Sequence, residues 1–451
     1  MDNSNTKRRS PITWVPSAYF AMGLPFVVLN MVTVLMFKGL EVDDKLITFW
    51  TSLILLPWTL KPLWSPFLEL FKTKKFFVVA TQLTTGIAFG LVALSLNLSS
   101  FFAISIALLA VIAFSGATHD IACDGVYMSE LSNSEQAKYI GWQGAFYNIA
   151  KIVATGGLVY LAGYFIESYS EAGSVLEANK KSWMTIMLIL SAVMILLALY
   201  HIFALPSTKV VKNEGKRSGK EILSELYNVL SDFFRKTHII YYICFIILYR
   251  FAEGFVMKIV PLFLKAAREA GGLGLSEKEI GLYYGTYGAA AFVLGSLLAG
   301  YYISAKGLKN TLFTLCCIFN LPFVVYAFLA FFQPESGLII CSGIVFEYFG
   351  YGFGFVGLTL FMMQQVAPGK HQMAHYAFAS GIMNLGVMIP GMMSGWVCET
   401  LGEWFNRPGG YEPFFIFVLI ATIPAFLITY FIPFKYNQDG TLIEGESKLI
   451  I

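Results

Sequence analysis

The chain is short of charge. Only 13% of its 451 residues are Asp, Glu, Lys or Arg, about half of the roughly 25% that a soluble domain carries. With 57% hydrophobic and 16% aromatic residues, it is too apolar for the two or three soluble domains its length would allow. It is the composition of one large helical membrane protein. The net charge of +3 gives nothing in favour of nucleic-acid binding. Cysteines are scarce too. Cys123, Cys244, Cys316, Cys317, Cys341 and Cys398 fall within or at the ends of apolar stretches, with neither metal-ligand spacing nor a disulfide framework. They read as small hydrophobes packed between helices. No phosphate-cradling G-x-x-x-x-G-K-[ST] run occurs. His119, His371 and His375 are scattered, and the last two, four apart, lack a third ligand. No metal, cofactor or catalytic constellation is expected.

What the chain has is apolar runs. A spanning helix needs about 20 such residues, and runs of that kind lie near 13–37, 46–68, 75–97, 100–123, 138–165 and 182–204. Six more lie near 238–264, 279–303, 310–332, 337–363, 374–398 and 411–433. Each is continuously apolar rather than alternating, which selects helices over a barrel. The expectation is an all-α integral membrane protein of 12 transmembrane helices. Its first span is retained, because the stretch from Trp14 to Phe37 is too long for a signal-peptide core and lacks a cleavage site.

The basic residues set the orientation. With the N-terminus inside, inner segments hold 19 Lys and Arg against 8 in outer segments, so both termini are expected in the cytoplasm. Short loops fit a bacterial inner membrane. The organisation reads as a tail (1–12), a six-helix half (13–204), a cytoplasmic linker (205–237), a second six-helix half (238–433) and a tail (434–451). The linker contains an amphipathic helix with Ile222, Leu223, Leu226, Leu230 and Phe233 on one side, expected to lie on the inner ends of the bundle. A faint repeat links the halves. Pro62-Leu63-Trp64-Ser65-Pro66 through Lys72, Lys74 and Lys75 closes the second span with a basic loop, as Gly295, Ser296, Gly300, Lys306 and Lys309 close the eighth.

Some charges sit inside these spans. An ionised group at the bilayer centre costs roughly 2.5–3.5 kcal/mol even on the mildest scale, so it faces a partner or a water-filled path. Arg250 and Glu253, three apart, share a face of the seventh span near mid-depth. Glu347 lies at similar depth in the tenth. They form either a structural ion pair, Arg250 with Glu253 or with Glu347, or a substrate-binding cation beside proton-accepting carboxylates. Asp120 and Asp124 share a face of the fourth span. Asp120, the deeper, is a candidate for proton work, while Asp124 and Lys61 read as a gate or helix-end network. Lys61 and Lys258 are expected to snorkel. Lys151, in the fifth span, can neutralise an aspartate or meet an anionic solute. Asn30, Gln143, Tyr147, Asn148, Tyr249, Tyr348 and Gln364 supply the rings and amides that a sugar-like solute needs. Glu253, Glu347 and Asp120 are the expected proton-coupling residues.

Four stretches in register resemble the AmpG-type muropeptide permeases and their acetyl-coenzyme A transporter relatives, a branch of the major facilitator superfamily. They are Gly23-Leu24-Pro25 with Lys61-Pro62-Leu63-Trp64-Ser65-Pro66; His119-Asp120-Ile121-Ala122-Cys123-Asp124-Gly125; Leu248-Tyr249-Arg250-Phe251-Ala252-Glu253-Gly254-Phe255; and Phe346-Glu347 with Gly350, Gly352, Gly354 and Gly357. His119 stands where that family commonly has Gln. The resemblance implies a major facilitator fold of two pseudo-symmetric six-helix halves. It also implies a monomeric secondary active transporter, a symporter that imports muropeptide-like sugar–peptide fragments or related amino sugars with protons. The alternatives are another solute of the same fold (a simple sugar or glycan fragment, an acetyl-coenzyme A-like nucleotide, a peptide) or an intramembrane acyltransferase.

Overall fold

Inside hydrocarbon each backbone N–H and C=O must find its partner within its own segment, so apolar runs of this length become helices. A computed structural model describes residues 9–64, 68, 73–131, 133–171, 174–206, 219–369 and 371–436. The first half of the chain holds α1 (Pro11–Gly39), α2 (Asp44–Leu53, continued by short turns Leu56–Leu60 and Lys61–Leu63), α3 (Lys74–Ser95), α4 (Phe101–Glu130), α5 (Trp142–Ser170) and α6 (Val175–Ala204). A linker helix α7 (Gly219–Phe234) follows. The second half holds α8 (Ile239–Tyr249), α9 (Phe251–Lys265), α10 (Glu277–Ile303), α11 (Leu308–Phe332), α12 (Gly337–Val366), α13 (Ala374–Phe405) and α14 (Pro408–Tyr430).

Ten helices among the described residues are by themselves long and apolar enough to cross a membrane, against the twelve expected. The other two expected spans fall on interrupted helices. The helix begun by α2, capped by the Asp43 side chain on the amides of Lys45 and Leu46, breaks at Ile54 and Leu55 ahead of Pro57, which has no N–H to donate. The α8 and α9 helices part at Arg250, whose φ of −106° and ψ of 4° leave helical geometry.

The linker helix seats Val229 and Phe233 in the bundle, with Phe233 packed on His375 and Phe378 of α13. Lys236 then donates to the carbonyls of Val366, Ala367 and Pro368 at 2.6, 3.2 and 2.8 Å, satisfying acceptors left over where α12 ends. Leu230 is half-buried. The side chains of Ile222, Leu223 and Leu226, and Ser65, Pro66 and Lys72 of the expected repeat, lie outside the described residues.

The two ends of the bundle differ. At the end of Lys38 and Lys278, one apolar core runs through both halves, from Leu35 and Phe37 of α1 to Phe263 of α9 and Phe415 of α14. At the opposite end it separates into two clusters. One, around Trp14, Tyr19, Val78 and Tyr127, belongs to the first half; the other, around Phe233, Tyr242, Phe319 and Phe361, belongs to the linker and second half. We call these the joined and the split end.

At the joined end, wide π-type turns in α5 (Val153–Leu158) and α10 (Gly281–Gly288) pack against each other. A Cβ on Gly285 would overlap the Thr155 carbonyl, and the Thr155 hydroxyl donates to the Gly285 carbonyl at 3.3 Å. Two ion pairs also cross between the halves, Lys45 with Glu399 at 2.6 Å and Lys278 with Glu167.

Candidate functional site

The break at Arg250 sets up the central charge group. Arg250 donates through Nε and Nη2 to both oxygens of Glu253, at 2.5 and 2.6 Å, and its guanidinium lies 5.2 Å from the Phe355 ring centroid. The pair is only 5% and 3% exposed. Arg250 therefore pairs with Glu253 and not with Glu347. On α12, Glu347 is 5% exposed and accepts from the Tyr326 hydroxyl at 2.8 Å.

Lys151 joins them from the other half. Its Nζ lies 4.3 Å from the Phe292 ring centroid, 5.8 Å from that of Tyr348 and 5.7 Å from that of Tyr351. There it is within electrostatic reach of Glu253, Glu347 and Arg250. The rings also meet one another, Tyr284 on Tyr348 at 4.8 Å and Phe292 on Tyr351 at 4.9 Å between centroids. A lysine of the first half is thus held over an aromatic box of the second, beside two carboxylates. Desolvated cation–π contacts of this kind are worth about 2 kcal/mol, less than an ion pair with an incoming anion in the same setting.

The structure brings Lys151, Arg250, Glu253, Glu347 and Tyr348 together, and adds Tyr284, Phe292, Tyr326 and Tyr351, which the sequence reading missed. Tyr351 had a legible signal, four residues after Glu347 on the same helical face. Gln143 and Tyr147 continue the Lys151 face of α5 at four-residue spacing and are half-buried. Asn148 turns to its own helix, donating to the Gly144 carbonyl at 2.9 Å. Gln364 is half-buried; its neighbour Gln365 instead holds the C-terminal segment, through the amides of Lys435 and Tyr436 and the Tyr436 carbonyl. Tyr249 corrects the expectation made for it. It is fully buried, packed on Phe245 and Phe319, and donates to the Gly354 carbonyl at 2.9 Å.

A second polar group lies on α4. Asp120 accepts from the Trp58 indole at 2.9 Å and lies 3.7 Å from Lys61, so Lys61 turns to a carboxylate rather than snorkelling. Asp124 accepts from the Tyr19 hydroxyl at 2.8 Å. Beside them runs a chain that sequence spacing does not show. Ser17 Oγ is 2.9 Å from His201 Nε2, His201 Nδ1 is 2.9 Å from Gln82 Oε1, and Gln82 Nε2 is 2.9 Å from His119 Nε2. It ties α1, α6, α3 and α4 together within the first half.

Lys258 overturns its expectation as well. It is 2% exposed, and its ammonium donates across the halves to the carbonyls of Asn30, at 3.1 Å, and Thr51, at 3.3 Å. Asn30 thus enters through its backbone, and its side-chain oxygen has no hydrogen-bond partner among the described residues.

A helical bundle with a charged, ring-lined group between its halves defines a polytopic membrane transporter. The family model of the Major Facilitator Superfamily matches residues 17–376, and the chain belongs to that superfamily, as a permease rather than an enzyme. It is 24% identical over 285 residues to a Rickettsia conorii protein named as transporter AmpG 1, covering 62% of each chain. It is 21% identical over 414 residues to the anhydromuropeptide permease of Escherichia coli K12, covering 91% of this chain and 77% of that one. Among solved structures it is similar in fold to a D-xylose–proton symporter, with a TM-score of 0.72 at 12% identity over 96% of this chain and 99% of the other.

Proposed function

We propose that the chain is a proton-coupled importer of muropeptide-like sugar–peptide fragments or related amino sugars, working by alternating access in a bacterial inner membrane. The observation that carries this reading is Lys151, rooted in one half, over the rings of the other and beside Glu347, a buried carboxylate whose hydrogen bond comes from a tyrosine hydroxyl. Arg250 and Glu253 cancel within the site. Lys151 and an ionised Glu347 also balance, so the site is neutral when Glu347 is ionised and carries one positive charge when it is protonated. The protonated site favours an anion, and by linkage a bound anion favours the proton.

The substrate's carboxylate draws Lys151 off the rings, which then stack on a sugar or apolar face. Gln143 and Tyr147 extend this surface, with Asn148, Asn30 and Gln364 as further polar contacts. Asp120, held by Trp58 and Lys61, is a second proton-linked carboxylate, and Lys61 and Asp124 belong to a gate. The split end is the one rich in basic residues, so it faces the cytoplasm. The Escherichia coli relative, an anhydromuropeptide permease, supports the substrate class.

The test is uptake by proteoliposomes under an imposed pH gradient, comparing anhydro-muropeptides, free amino sugars and acetyl-coenzyme A. Glu347→Gln is expected to abolish gradient-driven accumulation while leaving substrate exchange measurable. Wild-type accumulation by that variant removes the coupling role.

A further inference from the structure

We propose that Lys258 is a latch that holds the joined end shut: an ammonium of the second half captured by two backbone carbonyls of the first. The inference rests on the alternating-access reading above and adds to it the residue that favours one state.

Both carbonyls lie at local irregularities in two separate helices. Asn30 sits in a π turn of α1, Val28–Val32, where the Thr33 amide reaches back to the Val28 carbonyl and the Thr33 hydroxyl covers that of Leu29. Thr51 lies just before the break in α2, where the Leu55 amide turns to the Ser52 carbonyl instead. Both carbonyls point at one ammonium. Two more buried oxygens on the same helices, Asn30 Oδ1 and Ser52 Oγ, have no hydrogen-bond partner among the described residues. Ser52 and Lys258 are brought close by Gly391 of α13, where a Cβ would meet Ser52 Oγ at 2.7 Å and Lys258 Cγ at 3.5 Å.

Among the described residues no carboxylate pairs with Lys258. A buried cation without a counter-ion is expensive to keep. The latch gives this lysine a use. While the halves touch, the ammonium supplies the donor that the Thr51 carbonyl has lost and a further bond to that of Asn30. Once they part, both carbonyls and ammonium meet water and need no partner. A cavity at the joined end, lined by Lys38, Asp44, Glu399 and Arg407, reaches down to Ile259, the next residue along, so opening there brings solvent to Lys258 by a short path. Removing the ammonium therefore penalises the shut state and spares the open one.

The experiment places a cysteine at Thr48, which is fully buried where α2 meets Gly395 of α13. Full-length protein in liposomes is treated from the joined-end side with a membrane-impermeant thiol reagent, and labelling at position 48 is resolved by peptide mass spectrometry. Lys258→Met is expected to speed labelling about tenfold or more, the population shift carried by one charge-assisted bond. Gly391→Val, which crowds the same junction, shifts it in the same direction. Lys258→Gln, which keeps a donor without the charge, falls between, and serves if the methionine variant does not fold.

Unchanged or slower labelling in folded Lys258→Met overturns the latch. A control carries Glu399→Lys with Glu167→Lys, which turns both cross-half ion pairs into repulsions. If the control labels and Lys258→Met does not, the latch alone falls. If the control stays unlabelled as well, the alternating-access reading falls with it.

Discussion

At the end that carries Lys45 and Lys278 the apolar core passes unbroken from α1 to α14, whereas at the end of Trp14 and Phe361 it parts into two. The same kind of helix builds both ends, so bulk hydrophobicity is not what separates them. Lipid tails are as apolar as leucine, and association inside a bilayer depends on close packing and on polar bonds. The joined end has both. Its α5 and α10 backbones touch through glycine, and its polar links run between halves. At the split end, Lys75 bonds the Leu205 carbonyl beside its own half and Lys236 bonds the end of α12. Closure at the joined end rests on a few specific contacts, so a few specific substitutions can undo it.

The largest effect expected is at Gly285. Gly285→Leu drives a side chain into the Thr155 carbonyl, and accumulation in liposomes should fall at least about tenfold, in line with other severe packing clashes. The same change at Gly300, on the same helix but with open space around its Cβ, should stay within about twofold. Equal losses at both positions would erase the distinction between the two ends.

A smaller effect tests the first half as a body of its own. Gln82→Leu strips partners from both His119 and His201, and buried unpaired groups cost about 1–3 kcal/mol each. The melting temperature in detergent should drop by several degrees, while substrate exchange at a permissive temperature persists. An unchanged melting curve would mean that the chain of bonds from Ser17 to His119 contributes little to that half.

The smallest effect belongs to the exposed ion pair. Lys45→Glu or Glu399→Lys alone should change accumulation by less than about fivefold, since exposed pairs are worth about 0.2–1 kcal/mol. The charge-swapped double variant should recover most of the loss, and high salt should shrink all three differences. A loss in the swapped protein larger than in either single change would show that these side chains act separately.

Much of the architecture was legible because each span is a continuous apolar run, and lipid demands that such runs be helical. The exceptions had local causes that sequence also carries: Pro57 after α2, and Arg250 within what reads as one helix. The Arg250–Glu253 pair was readable from its three-residue spacing, and Glu347 from its depth. Which way a side chain faces was not readable. In a membrane helix the lipid side is as apolar as the protein side, so no polar face marks what points inward. Tyr249 and Tyr348 look alike in sequence, yet one is locked in the core and the other meets Lys151. Lys258 was misread because closeness to a span's end fits a residue reaching for water as well as one caught between helices. Partners such as Tyr326 for Glu347 and His201 for Gln82 lie on other helices, where spacing along the chain carries no information.

Lys151 has an electrical consequence as well as a chemical one. Its positive charge is anchored in one half and rests against the other, deep in the region where the membrane voltage drops. Any rearrangement that carries that ammonium along the membrane normal moves charge through the field, and a full crossing is worth about 2.3 kcal/mol per 100 mV. The resting voltage then biases where the lysine dwells, and a voltage step should draw a brief displacement current even with no solute present.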